Sequence, residues 1–417
     1  MGIEALLRGY PRAKLAYYVS KIRKIGPIGL SRWVLRRIVS EIVWVLFLPL
    51  TLVGHFLGYR RVPVNTSRIG HLAAEVDAFL KDRALGNLAS RKWFLLAPKN
   101  HVANAALLEY WAEKVPIVRN PVACAVLSSM SRHGLMSQKV SHYVLALRGT
   151  AAYYSIQAAW GNRPPVLMLS QNHRERGREF LRDTGLPPSA WFVAVHVREA
   201  GFSEIDEAAH SHRNGSIDRL LPAIHEIRRR GGWVIRMGDP TMRKIPPLDG
   251  LVDYAHHPSR SDWMDVFLCA ECRFFLGNSS GLFAMSTAFG VPCALANMIP
   301  TSHMGYSESD VSIPKLIWSK EQKRYLTFKE IFSSDIGNFR LAKLYDYSEL
   351  VPEENTASEI LELATEMLDR LEKNNNTSHE DEVRQEKFMH LLRPGHYAFG
   401  TSSHIGNAFL KRYEFLL

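Results

Sequence analysis

Apolar runs recur along the middle of the chain, and each ends in small or charged residues. Residues 191–197 (WFVAVHV) lead into Arg198-Glu199-Ala200-Gly201, and residues 233–237 (WVIRM) into Gly238-Asp239-Pro240. Residues 274–276 lead into Gly277-Asn278-Ser279-Ser280-Gly281, followed by a helix-like run to Phe289, the turn Gly290-Val291-Pro292 and a short strand over 293–296. Apolar strands alternating with helix-length connections predict a parallel sheet. Ligands of such sheets bind beyond the carboxyl ends of the strands. Arg198, Asp239 and Ser279–Ser280 stand at three of those ends, so a phosphate-centred ligand site is expected there.

The same alternation occurs earlier in the chain. Leu72, Val76, Phe79 and Leu80 recur at helical spacing. Residues 93–97 read as a strand ending in Pro98-Lys99-Asn100-His101, and Asn104 precedes a helical run over 105–112. Residues 116–118 and 166–169 read as further short strands, giving a second α/β layer. Arg68, His71, Asn100, His101 and Asn104 could line a cleft, and surface turns and helix caps account for them equally. Pro187-Pro188 reads as the linker before the strand at 191. A broad apolar stripe from Ile360 to Leu371 predicts a long helix near the end of the chain.

Charge changes the picture at the beginning. Residues 1–64 hold eleven Lys or Arg and only Glu4 and Glu41 as acids, whereas the whole chain nets +11. The remaining body is therefore close to neutral, which argues against a nucleic-acid-binding surface. An uncharged stretch over 42–59, with Pro49 inside it, follows the basic run Arg12 to Arg37. As a helix it would reach about 27 Å, the low edge of a bilayer span. The favoured reading is a monotopic anchor, basic helices and a kinked apolar segment held against anionic lipid at the cytoplasmic face of an inner membrane. A single span and packing on the protein itself are the alternatives.

The four cysteines include Cys269-Ala-Glu-Cys272, which has the spacing of a metal pair but no second pair or placed histidine. Core packing and a reducing compartment fit it better, and no metal or cofactor is expected. Arg198 ends a strand and can make paired bonds to a phosphate, or it can pair with Glu199. Residues 201–216 read as a polar loop bearing His210 and His212. Arg236, within a strand, calls for a partner; Gly238 permits close approach, and Asp239 could take ribose hydroxyls or orient Arg236. Gly277-Asn278-Ser279-Ser280-Gly281 presents two hydroxyls and a helix start to an anion, without the motif of a P-loop.

The runs His196-Val197-Arg198-Glu199, Arg236-Met237-Gly238-Asp239-Pro240, Phe274 to Gly281 and Phe289-Gly290-Val291-Pro292 resemble a family of bacterial glycosyltransferases related to the two-Rossmann-domain (GT-B) enzymes, including fucosyltransferases. The pattern extends to Arg68-Ile69-Gly70-His71 and Ile313-Pro314-Lys315-Leu316. The resemblance implies an α/β, GT-B-like fold: two Rossmann-like domains with a central cleft, plus the basic, apolar N-terminal segment. The expected divisions are a membrane-associating segment 1–64, an acceptor domain 65–188, a nucleotide-sugar domain 189–335 and C-terminal helices 336–417. It further implies that Arg198, Asn278, Ser279, Ser280 and Gly281 contact the donor diphosphate, with Arg236, Gly238 and Asp239 at the nucleotide. The acceptor would approach Arg68, His71, Asn100, His101 and Asn104. Fucosyltransferases often carry a second basic residue where this chain has Glu199.

The expected activity is metal-independent transfer of a sugar from a nucleotide-diphosphate donor to a cell-surface glycan or lipid-linked saccharide. The leaving group's charge would fall on Arg198 and the Ser279 region. Glu199 is the first expected general base, with His71 or His101 the second. Rival readings are a sugar-nucleotide epimerase, a transferase of another phosphate-linked group, and a membrane-associated scaffold without activity. Oligomerisation is compatible with all of them.

Overall fold

The computed structural model describes residues 10–138, 140–145, 149–187, 189–201, 204–374 and 377–417. Pro188 of the expected linker lies outside them, as do the side chains of Arg12 to Lys24 in the basic run. The chain divides into two compact units, Pro11–Trp160 and Gly161–Leu417.

The first unit is built on three parallel strands, β1 (Tyr59–Arg61), β2 (Lys92–Leu96) and β3 (Ile117–Val118), in the order β1-β2-β3. The helix Ile69–Ala84 connects the first pair and the helix Ala105–Ala112 the second. Phe94 and Leu96 of β2 pack with Cys124, Met130 and Met136, and Phe47 closes over this cluster. Ahead of β1 run the helices Tyr10–Leu46 and Leu48–Phe56. The 42–59 stretch is thus broken at Phe47. Among the described residues no single helix is long and apolar enough to cross a membrane, and the segments Gly26–Leu46 and Leu48–Phe56 meet that test only together, bent by 64°.

The second unit carries seven parallel strands. Here β4 is Phe192–His196, β5 Trp233–Arg236, β6 Leu251–Val252, β7 Phe275–Gly277, β8 Cys293–Met298, β9 Val311–Pro314 and β13 His404–Ile405. Their order is β13-β9-β8-β7-β4-β5-β6. All of β4, β7 and β8 is buried, as continuous apolar runs covered on both faces require. A small antiparallel sheet, β11-β10-β12 (Arg324–Tyr325, Leu316–Ser319 and Leu350–Glu353), follows. The helix Ala357–Leu371 starts at a Thr356–Glu359 capping box and buries its Ile360, Leu363 and Leu368 face.

The strand order fixes where a ligand can enter. From β4 the chain builds outward through β5 and β6, then returns to place β7 on the other side of β4 and continues through β8 and β9. The loops after β4 and β7 therefore leave in opposite directions, which opens a crevice at their carboxyl ends.

Two local expectations change. Residues 166–169 join no sheet: Leu167 and Leu169 are buried and Met168 is exposed, the alternation of an extended segment that packs without pairing. The expected 201–216 loop holds the helix Glu204–His210 and a 3-10 turn at Ser211–Arg213; its Ala209 packs inward.

Candidate active site

Burial of β4 delivers Arg198 to the crevice. Its backbone N–H donates to Asn278 Oδ1 at 3.0 Å, and Asn278 Nδ2 donates to the Arg213 carbonyl at 3.0 Å. The half-buried Arg198 guanidinium is aimed by its Nη1, which donates to the His210 carbonyl and to Asn214 Oδ1, both at 2.7 Å. Arg213 donates from Nε to the Ser279 carbonyl at 2.9 Å, and its Nη2 reaches the same oxygen. Lys315, at the end of β9, donates to the Asn214 carbonyl at 2.8 Å. Loop 210–215 thus ties the ends of β4, β7 and β9 together. Gly215 is at its closest approach: a Cβ there would meet Val197 at 3.2 Å and Asn297 at 3.3 Å.

This end of the sheet is positive. Burial first, and then Arg213, His210, Lys315 and Arg198 around it, push the His212 imidazole down to about 2. Burial pushes the Lys315 ammonium down to about 8. Ser279 spends its hydroxyl on the Ile299 carbonyl at 3.1 Å. The Ser280 hydroxyl is buried and has no hydrogen-bond partner among the described residues. An unpaired buried hydroxyl costs about 1–3 kcal/mol, and a ligand oxygen would relieve that cost. The helix after it, Leu282–Ala288, has only seven residues, so side chains rather than a long helix dipole supply the field.

Beside this cluster lies a second one. Arg236 is almost fully buried, and its Nη1 donates to the Arg243 carbonyl at 2.7 Å and to Asp253 at 3.1 Å. Its Nη2 donates to Glu199 at 3.3 Å. Glu199 also accepts the Arg243 N–H at 2.9 Å, and Asp253 pairs with His256 at 2.9 Å. Glu199 therefore pairs with Arg236 and not with its neighbour Arg198. Gly238 sits at φ 150°, and a Cβ there would collide with Met242 Sδ at 2.3 Å. Asp239 closes a turn by accepting from the Thr241 N–H at 2.9 Å and the Thr241 hydroxyl at 2.5 Å.

In the first unit, the loops after β1 and β2 are stitched together. Thr66 Oγ1 donates to the His101 carbonyl at 2.9 Å, and Ala103 N donates to the Thr66 carbonyl at 2.8 Å. This brings Arg68 and His71 to the same sheet end as Asn100 and His101. Asn104 is fully buried as the cap of the following helix, accepting from Leu107 N at 2.8 Å. His71 donates from Nδ1 to Glu75 at 2.6 Å. Glu75, buried completely, also accepts the N–H groups of Asn65 at 2.7 Å and Leu145 at 2.8 Å. That bond places a ring proton on Nδ1 and turns Nε2 away from Glu75.

His212, Lys315 and Glu75 were not singled out as site residues by the sequence. Lys315 alone had a local signal, its place just after a strand. Cys269, Cys272 and Cys293 are buried free thiols, and burial pushes the Cys272 thiol up to about 12. Among the described residues no group of three or more His, Cys, Asp or Glu is arranged to hold a metal ion.

No family model and no curated protein matches this sequence. In fold the chain is similar to solved glycosyltransferases. One is the ADP-heptose lipopolysaccharide heptosyltransferase II of E. coli, at 11% identity over 75% of this chain and 99% of that one, with a TM-score of 0.44. Another is a glycosyl transferase family 9 protein of Veillonella parvula, at 12% identity over 73% and 80%, with a TM-score of 0.31. A UDP-GlcNAc 2-epimerase of Methanocaldococcus jannaschii is also similar, at 12% identity over 59% and 70%, with a TM-score of 0.22. None of these three is a fucosyltransferase. At such scores the likeness assigns no residue role and no substrate to this chain.

Proposed function

We propose that the chain is a glycosyltransferase that takes a sugar from a nucleoside-diphosphate donor and passes it to a saccharide acceptor, cell-surface or lipid-linked. The observation that carries this reading is the buried, unpartnered Ser280 hydroxyl just past β7, two residues from the Asn278 that accepts the Arg198 N–H at the end of β4. An aimed guanidinium and a buried hydroxyl in a positive field suit a diphosphate, whose charge grows as the glycosidic bond breaks. In this reading the charge is taken up by side chains and not through a metal ion. Gly238 and Asp239 serve the nucleoside, while Arg236 is spent on holding Glu199 and Asp253.

A transfer also needs an acceptor for the hydroxyl proton of the attacking sugar. Glu199, engaged by a guanidinium and an N–H, has less to offer than His71. The His71 ring is oriented by buried Glu75, and its Nε2 can take the proton while Glu75 stabilises the imidazolium that forms. Transfer breaks the anomeric C–O bond to the diphosphate and forms one to the acceptor oxygen.

The test is product analysis by mass spectrometry with the full chain, a panel of nucleotide-sugars and membrane lipid extracts. A saccharide heavier by one sugar residue, formed together with free nucleoside diphosphate, is expected. Conversion of a nucleotide-sugar to its epimer without any acceptor would overturn the reading.

A further inference from the structure

Between Ile28 and Tyr59 the chain displays an apolar surface that nothing among the described residues covers. Trp33 is 61% exposed, Leu46 70% and Phe56 82%. Elsewhere, exposed large apolar side chains occur singly, as is ordinary for soluble surfaces. A continuous patch of this extent marks an interaction surface.

The opposite face of the same helices is committed to the protein. Ser40 meets Ser129 at 2.8 Å, and Glu41 pairs with Arg132 at 3.0 Å and His133 at 2.9 Å. Trp44 packs edge-on against His133, and Phe47 enters the core. Thr51 is fully buried, and His55 bonds the Leu135 carbonyl. These contacts recur every three or four residues, as one helical face does. From Ser40 onward the pair is seated along one face and bare on the other, and residues 30–39 ahead of it are exposed on every side, so it can lie on a surface without leaving its domain.

Charge selects the occupant. Arg32, Arg36 and Arg37 are exposed on the bare stretch, and Arg60 and Lys92 lie at the other end, Lys92 over the Tyr59 ring at 5.0 Å. The only acid between Gly26 and Arg61 is Glu41, which pairs with Arg37 as well as with Arg132 and His133, so Arg32 and Arg36 are the cations of this stretch that it leaves uncompensated. A second copy of the chain would set arginines against arginines. Anionic lipid would meet arginines with phosphate and the apolar face with acyl chains.

We propose that the bent pair Gly26–Leu46 and Leu48–Phe56 lies within one leaflet of an anionic membrane, a seat that stands independently of the transfer reaction. The probe is flotation of the full chain with phosphatidylcholine vesicles, with and without phosphatidylglycerol. Binding to the anionic vesicles is expected, with a loss of roughly fivefold for each of Arg32→Gln and Arg36→Gln. The combined variant Trp33→Glu, Leu35→Glu, Ile38→Glu should stay unbound while keeping the wild-type circular dichroism and melting temperature, because these side chains are exposed. Equal binding of wild type and that variant would overturn the proposal. So would a dimer that the three glutamates dissociate, with no vesicle binding by wild type.

Discussion

The Arg198 N–H donates to Asn278 Oδ1 across 3.0 Å, linking residues eighty positions apart at the ends of β4 and β7. Those two strands flank the point where the sheet's connections reverse. The same asparagine then holds the Arg213 carbonyl, and Arg213 holds the Ser279 carbonyl. A single amide thereby ties the end of β4 to the end of β7 and to the Arg213 loop. Pre-organisation of this kind reduces the ordering cost of binding an anion.

Arg236 is expected to matter for stability rather than for ligand affinity. Arg236→Met leaves Glu199 and Asp253 without their shared cation, and both carboxylates are largely buried. Breaking such a pair costs about 3–5 kcal/mol, and the lower end suits acids that keep some solvent contact. Urea unfolding should show that loss, while the folded variant binds nucleoside diphosphate as wild type does. Unchanged stability with lost nucleotide binding would give Arg236 a direct ligand role instead.

His71 and Glu75 should separate as catalytic and positioning residues. His71→Ala is expected to lower kcat by about 10²–10⁴, the usual contribution of a general base, with little change in the KM for donor. Glu75→Gln should lower kcat less, and Glu75→Asp should restore part of it. A merely structural Glu75 would lower melting temperature and leave kcat per folded molecule unaltered. Steady-state kinetics on the four proteins, wild type included, distinguish these outcomes.

Asp265 makes a pH-dependent contribution of definite sign. Burial pushes its carboxyl up to about 7, against a smaller opposing effect of the Tyr254 hydroxyl. The folded state therefore holds a proton that the unfolded chain, with its ordinary carboxylate value near 3.9, releases earlier. Stability from this group is complete below about pH 4 and is lost as pH rises toward 7. Asp265→Asn should gain on wild type as pH goes from 5 to 8 in urea titrations. A constant difference between the two proteins over that range would contradict this assignment.

Much of the second unit was legible because buried parallel strands declare themselves locally. Residues 191–197 and 233–237 are apolar runs interrupted only by His196 and Arg236, and the polar groups just past them fall at the ligand end by topology alone. The residues that shape the site were harder to read. Glu75 looks like an ordinary helix-surface acid until Asn65 and Leu145 close over it. Arg236 announces a need for a partner but not which acids answer, since Glu199 and Asp253 are 37 and 17 positions away. Residues 166–169 carry a strand's alternation without a neighbour to pair with. Between Ile28 and Tyr59 the pattern predicted either an anchor or a packed helix, and the structure shows an exposed stretch to Val39 and then two faces, one packed and one bare.

The central claim is a diphosphate held at Arg198, and the most direct measurement is thermal stabilisation of the full chain by UDP, GDP, ADP, CMP and dTDP, with Arg198→Ala alongside. A ligand that binds only the folded state raises its stability by about 2.7 kcal/mol at a hundred times Kd. The account predicts a raised melting temperature with at least one nucleoside diphosphate, abolished in Arg198→Ala although that variant folds. Equal stabilisation of both proteins would contradict it, and so would no response to any of the five by folded wild type.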